Sequence, residues 1–138
     1  MPIQIRFIKS KHGKGSRMIG YLKWGDAQFE IVTGGYGKGA IPDGVYKIEK
    51  RRIAAGNKSN MESGYINPLT GKGFFIPLKP GFSTHRHGFG IHPDGNLPGT
   101  LGCLGLQGAD TKKFWDKWIK TPMRLRPDTL IVSTKIEE

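Results

Sequence analysis

The sequence has one cysteine among 138 residues, so no disulfide can form within the chain, and a chain of this length has enough core to fold without one. It has no stretch approaching the ~18 apolar residues of a membrane-spanning helix. Its opening residues, Met-Pro-Ile-Gln-Ile-Arg-Phe-Ile-Lys, contain no apolar core of signal-peptide length. The expectation is a protein made in the cytoplasm without a signal peptide or membrane span, carried to any outside target by another route. Acidic residues are scarce, 11 against 22 Lys and Arg, and no pair of carboxylates stands out for glycoside hydrolysis. Cys-x-x-Cys and His-Glu-x-x-His metal patterns are absent. The Gly-rich run at residues 34–39 lacks the Gly-Lys-Ser/Thr ending of a phosphate loop.

Positive charge, by contrast, is plentiful. The formal net charge is +11, and Lys and Arg are spread along the whole chain. Such a charge favours an anionic partner through long-range attraction, either nucleic acid or an anionic wall polymer. No recognisable nucleic-acid-binding module accompanies it, so nucleic acid is not the expected partner. Glycine is also abundant, 21 residues, with 9 prolines. Both punctuate the chain throughout, which predicts short strands and many turns.

The length predicts one domain over residues 1–138. Ile3, Ile5 and Phe7 alternate with polar residues as in a half-buried strand. Residues 18–24 and 28–33 read as a hairpin around Gly25-Asp26, residues 44–50 as a strand, and 34–39 as a flexible loop. Residues 54–73 read as a long polar surface loop, 73–78 as a strand of aromatic and β-branched residues, and 89–92 as a short buried strand. One helix is predicted, with Asp110 as N-cap and Phe114, Trp115, Trp118 and Ile119 at helical spacing on a core-facing stripe. Residues 129–136 close the chain as a strand. The fold class is therefore mostly β with one main helix.

The chemistry concentrates in residues 83–107, which hold three of the four histidines and the cysteine. A cysteine nucleophile needs a base to take its proton and backbone N–H groups aimed at the developing oxyanion. Cys103 lies in the glycine-rich stretch 100–105, read as a tight turn, with Gly102 before it. His92 is the candidate base. Ten residues separate the two, with Pro93-Asp94-Gly95 and Pro98-Gly99 between them, so a hairpin-like return would bring the side chains together. From the residues alone two other readings stay open: a buried structural cysteine, and a zinc site of His85, His87, His92 and Cys103.

The pattern Ala40-Ile41-Pro42-Asp43-Gly44-Val45-Tyr46-Lys47-Ile48, then Gly90-Ile91-His92, then Thr100-Leu101-Gly102-Cys103-Leu104 resembles the L,D-transpeptidase catalytic domain (YkuD-type). The likeness runs from about residue 18 onward. It implies a β-sandwich-like fold without cofactor or metal, Cys103 as nucleophile and His92 as general base. The N–H groups of Gly102 and Cys103 would serve the oxyanion hole, and the Pro93 carbonyl would orient the imidazole. The implied substrate is a peptidoglycan stem peptide, bound near His85, Arg86, His87, Phe89, Thr100 and Leu101. Two positions depart from the family pattern. Leu101 replaces a histidine two residues before the cysteine, and Gly105 replaces an arginine two residues after it, so Arg86 or a lysine must supply that charge. The short gap between His92 and Cys103 resembles that of transpeptidase-like toxins or phage lysis proteins, which trim or exchange stem ends. The partner of such an effector would include an immunity protein.

Overall fold

The computed structural model describes residues 3–34, 39–57, 66–67, 71–94 and 103–137. Its strands are β1 (Gln4–His12), β2 (Met18–Trp24), β3 (Ala27–Thr33), β4 (Gly44–Ile48), β5 (Ala54–Asn57), β6 (Ile66–Asn67), β7 (Lys72–Pro80), β8 (Gly90–Pro93), β9 (Leu104–Leu106) and β10 (Thr129–Thr134). The one α-helix among the described residues, α1 (Ala109–Lys120), lies between β9 and β10.

The strands follow from alternation. In β1, Ile5 and Phe7 are buried while Gln4 and Arg6 face solvent. In β2, Met18, Gly20, Leu22 and Trp24 are the buried set. The β2–β3 hairpin turns through Gly25-Asp26, pairing Trp24 with Ala27. Eight strands then form a closed ring in the order β4, β10, β1, β2, β3, β9, β8, β7. The ring is sealed by Tyr46 pairing with Pro80 and Ile48 with Leu78 between β4 and β7. Mostly β with one helix is therefore what the chain adopts. In place of a two-sheet sandwich, the pairing gives a closed eight-stranded barrel. Closure leaves no free edge on the ring, and eight strands enclose a space that side chains can fill. Ile5, Phe7, Leu22, Ile31, Tyr46, Ile76, Ile91, Leu104 and Leu130 fill it.

Helix α1 closes one end of this barrel. Phe114 and Trp118 are fully buried, and their rings meet Trp24, Phe29 and Phe74 at centroid distances of 5.4–6.0 Å. The helix begins differently from the expectation. Gly108 occupies the cap position without a side-chain cap. Asp110 lies inside the first turn, where its Oδ2 accepts the Glu30 backbone N–H at 2.8 Å and ties the helix to β3.

The 54–73 stretch also differs from a plain surface loop, because β5 and β6 both pair with the first half of β7. Of the expected flexible loop at 34–39, residues 35–38 lie outside the described residues.

Candidate active site

The site is built by two short strands lying side by side. β8 and β9 run parallel, with Ile91 opposite Leu104, His92 opposite Gly105 and Pro93 opposite Leu106. Ile91, Leu104 and Leu106 point into the core. Side chains alternate across a strand, so Gly90, His92, Cys103 and Gly105 belong to the other, outer face. Cys103 immediately precedes β9, at the barrel end opposite α1. The expected hairpin-like return is thus corrected: the chain re-enters beside β8 in the same direction, and the stretch read as a turn contributes a strand directly after the cysteine. In this register His92 stands opposite Gly105, two residues beyond Cys103 on the neighbouring chain segment.

Both groups are buried, His92 to 5% and Cys103 to 6% exposure. The His92 Nδ1 lies 2.7 Å from the Pro93 carbonyl oxygen. A carbonyl can only accept, so Nδ1 carries the proton and Nε2 holds the lone pair. That is the tautomer a general base requires. The Phe75 ring stacks on the imidazole at 5.8 Å and 13°, set there by the register in which Ile76 pairs with Ile91. The same ring lies over Gly90, where a Cβ would come within 2.2 Å of Phe75 Cζ. The ring can lie there only because residue 90 has no side chain. Beyond His92, the Gln107 side chain donates to Asp94 Oδ2 at 2.7 Å and to the Gly105 carbonyl at 2.9 Å, clamping the end of β9 to the end of β8.

The thiol of Cys103 points at the Gly88 carbonyl, 3.4 Å away. Gly88 sits at φ 78°, a backbone conformation side chains disfavour. Burial pushes the thiol up to about 11, opposed by the Gly90 backbone N–H and by the charge of Arg86. Burial also lowers His92 to about 4, against the hydrogen bond to Pro93. At neutral pH the resting pair is therefore a thiol and an uncharged imidazole. A neutral imidazole with its lone pair on Nε2 is the form that can accept a thiol proton, in contrast to a preformed thiolate–imidazolium pair, and the resting thiol is turned toward the Gly88 carbonyl.

The other sequence candidates fall in different places. Arg86 is partly buried; its Nη1 and Nη2 donate to the carbonyls of Ala40 and Gly39 at 2.9 and 2.8 Å. Phe89, expected to touch substrate, is instead a core residue, whose ring meets Tyr46 edge-on and underlies the Arg86 guanidinium at 5.4 Å. His85 and His87 are exposed on either side of Arg86. Among the described residues no three His, Cys, Asp or Glu come together as a metal site, so the geometry does not gather the zinc set weighed from the sequence. Thr100, Leu101 and Gly102 lie outside the described residues.

Sequence reasoning missed Phe75 and Gly90. The doublet Phe74-Phe75 gives no sign of which ring faces inward, since that depends on the pairing of β7 with β8. A separate groove of about 350 Å³, lined by Lys72, Phe74, Lys112, Trp115 and Ile119 among others, lies beside α1, away from Cys103.

No family model matches the chain, and no curated protein or solved structure matches it significantly.

Proposed function

We propose that the chain is a cysteine-dependent enzyme that acts on peptidoglycan stem peptides through a thioester, trimming or exchanging the stem terminus as an antibacterial effector or phage lysis protein. The observation that carries this reading is the state of His92. Pro93 fixes its tautomer with Nε2 as the base, and the imidazole stands opposite Gly105 on the parallel strand that Cys103 leads into. The resemblance to the L,D-transpeptidase catalytic domain supplies the substrate class. The order of elements is in keeping with it: Gly-Ile-His on one strand, the cysteine leading into its neighbour, then a helix and a closing strand.

In this mechanism Nε2 of His92 takes the thiol proton while Sγ of Cys103 attacks the carbonyl carbon of the third stem residue. The resemblance assigns the N–H groups of Gly102 and Cys103 to the oxyanion. The C–N bond to the terminal D-alanine breaks, and the imidazolium returns its proton to the leaving amine. Water or a free D-amino acid then attacks the thioester, the C–S bond breaks, and the thiol is restored. A stem amine as the second nucleophile would give a cross-link, the true L,D-transpeptidase outcome.

Incubation with purified muropeptides followed by mass spectrometry tests this. The expected product is a stem shortened by one D-alanine or carrying an exchanged terminal residue. Cys103→Ala is expected to abolish it without moving the thermal melt, and His92→Gln to slow it about 10²- to 10⁴-fold. Undiminished turnover by Cys103→Ala sinks the proposal.

A further inference from the structure

We propose that Arg86 is the positioning residue of Cys103: its guanidinium, locked onto the backbone strap of residues 39–42, is the fixed positive charge against which the thiolate forms. This rests on the reading of Cys103 as the nucleophile and names the residue that replaces the arginine missing at position 105.

The strap is the first part of the argument. Four consecutive carbonyls each receive a side-chain donor. Gly39 and Ala40 are held by Arg86, Ile41 by the buried Lys9 Nζ at 2.7 Å, and Pro42 by the Tyr46 hydroxyl at 2.7 Å. The Ile41 N–H in turn donates to Thr33 Oγ1 at 2.9 Å. Lys9 is further fixed by Asp43 at 2.9 Å. Bidentate donation to a strap anchored in this way orients a planar guanidinium in a manner a lysine could not reproduce.

The second part is where the arginine is held. Arg86 belongs to the same short segment as Gly88, whose carbonyl faces Sγ at 3.4 Å, and Phe89, whose ring carries the guanidinium. Cys103 is therefore flanked by the segment that bears this charge. Consistent with this placement, the charge of Arg86 favours the thiolate against the opposing effect of burial. Opposite His92, Gly105 offers no side chain to do so.

The test follows alkylation of Cys103 by iodoacetamide against pH, read by mass spectrometry on the full chain, for wild type, Arg86→Gln and Arg86→Lys. Removing the charge is expected to raise the pH midpoint by at least about half a unit. The lysine variant, which keeps the charge, is expected to restore most of the shift. A purely structural role predicts the opposite sign. A loosened strap would admit water to the thiol, relieve its desolvation and lower the midpoint. An unchanged or lowered midpoint in Arg86→Gln overturns the proposal. If that variant fails to fold, wild type decides: its midpoint must rise as NaCl goes from about 0.05 to about 1 M, and a flat response overturns the proposal. None of these readings uses peptidoglycan. A failed muropeptide assay with an intact midpoint shift rejects the substrate and leaves Arg86 in place; the reverse pattern rejects Arg86 alone.

Discussion

Burial sets the protonation states of His92 and Cys103 before any substrate arrives, and this has a cost that pH exposes. An unfolded histidine titrates near 6.5, whereas folded His92 is lowered to about 4. Between those values the unfolded chain binds a proton that the native chain refuses. Stability therefore rises with pH across this window, is fully present above about 6.5 and is lost as pH falls toward 4. The whole effect is about 3 kcal/mol. Urea unfolding of wild type at pH 7 and pH 4.5 is expected to show this loss, and His92→Gln to show a much shallower one. Equal slopes in the two proteins would remove His92 as the cause. Asp128 and Asp116, held below the usual carboxylate range by hydrogen bonds from Lys50 and Lys112, contribute only at lower pH and do not confuse the comparison. Cys103 behaves in mirror image. Its thiol is raised to about 11 from 9.0, so the unfolded chain ionises first and stability declines as pH climbs above 9.

At the level of elements, α1 is seated on the barrel by its fully buried Phe114 and Trp118. Phe114 is fully buried and touches Trp24, Phe29, Phe74 and Trp118, so Phe114→Ala is expected to cost about 3–5 kcal/mol. Ile119, expected on the core-facing stripe, is instead 51% exposed and is expected to change stability by less than about 0.5 kcal/mol when replaced by alanine. Chemical denaturation of both variants checks the contrast; equal losses would mean the helix is not seated by its Phe114 face. This helix was legible in the sequence because its apolar residues recur at helical spacing and Pro122 stops it. Its start differs from the local pattern because Asp110 has a tertiary partner, the Glu30 backbone N–H, which no local rule contains. β5 and β9 were not legible for a different reason. Ala54-Ala55-Gly56-Asn57 and Leu104-Gly105-Leu106 are short and glycine-bearing, and only pairing with β7, β3 and β8 makes them strands. The candidate site shares this limit. Cys103 and His92 could be named from residue type and resemblance, but their common face depends on parallel pairing, and Phe75 enters through a register set by β7.

For the molecule as a whole, closure of the barrel decides where the charge goes. Parallel pairing of β1 with β10 and the β4–β7 seam turn most of the ring's apolar side chains inward, Val45 at 51% exposure being an exception. The intervening Arg6, Lys23, Lys47 and Lys79 are thereby exposed, and α1 adds Lys112, Lys113, Lys117 and Lys120. Among the described residues these basic side chains thus lie on several strands and on the helix, in a chain of formal charge +11. A field of that kind attracts an anionic surface without fixing an orientation on it. Under the proposed function, such attraction would hold the protein on a wall polymer while Cys103 meets successive stems. Two consequences follow. Co-sedimentation with purified sacculi is expected to fall about tenfold or more between about 0.05 and about 0.5 M NaCl, because screening shortens the reach of exposed charges. Cys103→Ala is expected to sediment as wild type does, since adhesion and the thiol are separate. Salt-independent sedimentation, or a loss of adhesion in Cys103→Ala, would show instead that wall contact runs through the cysteine site, and the charged surface would then need another explanation.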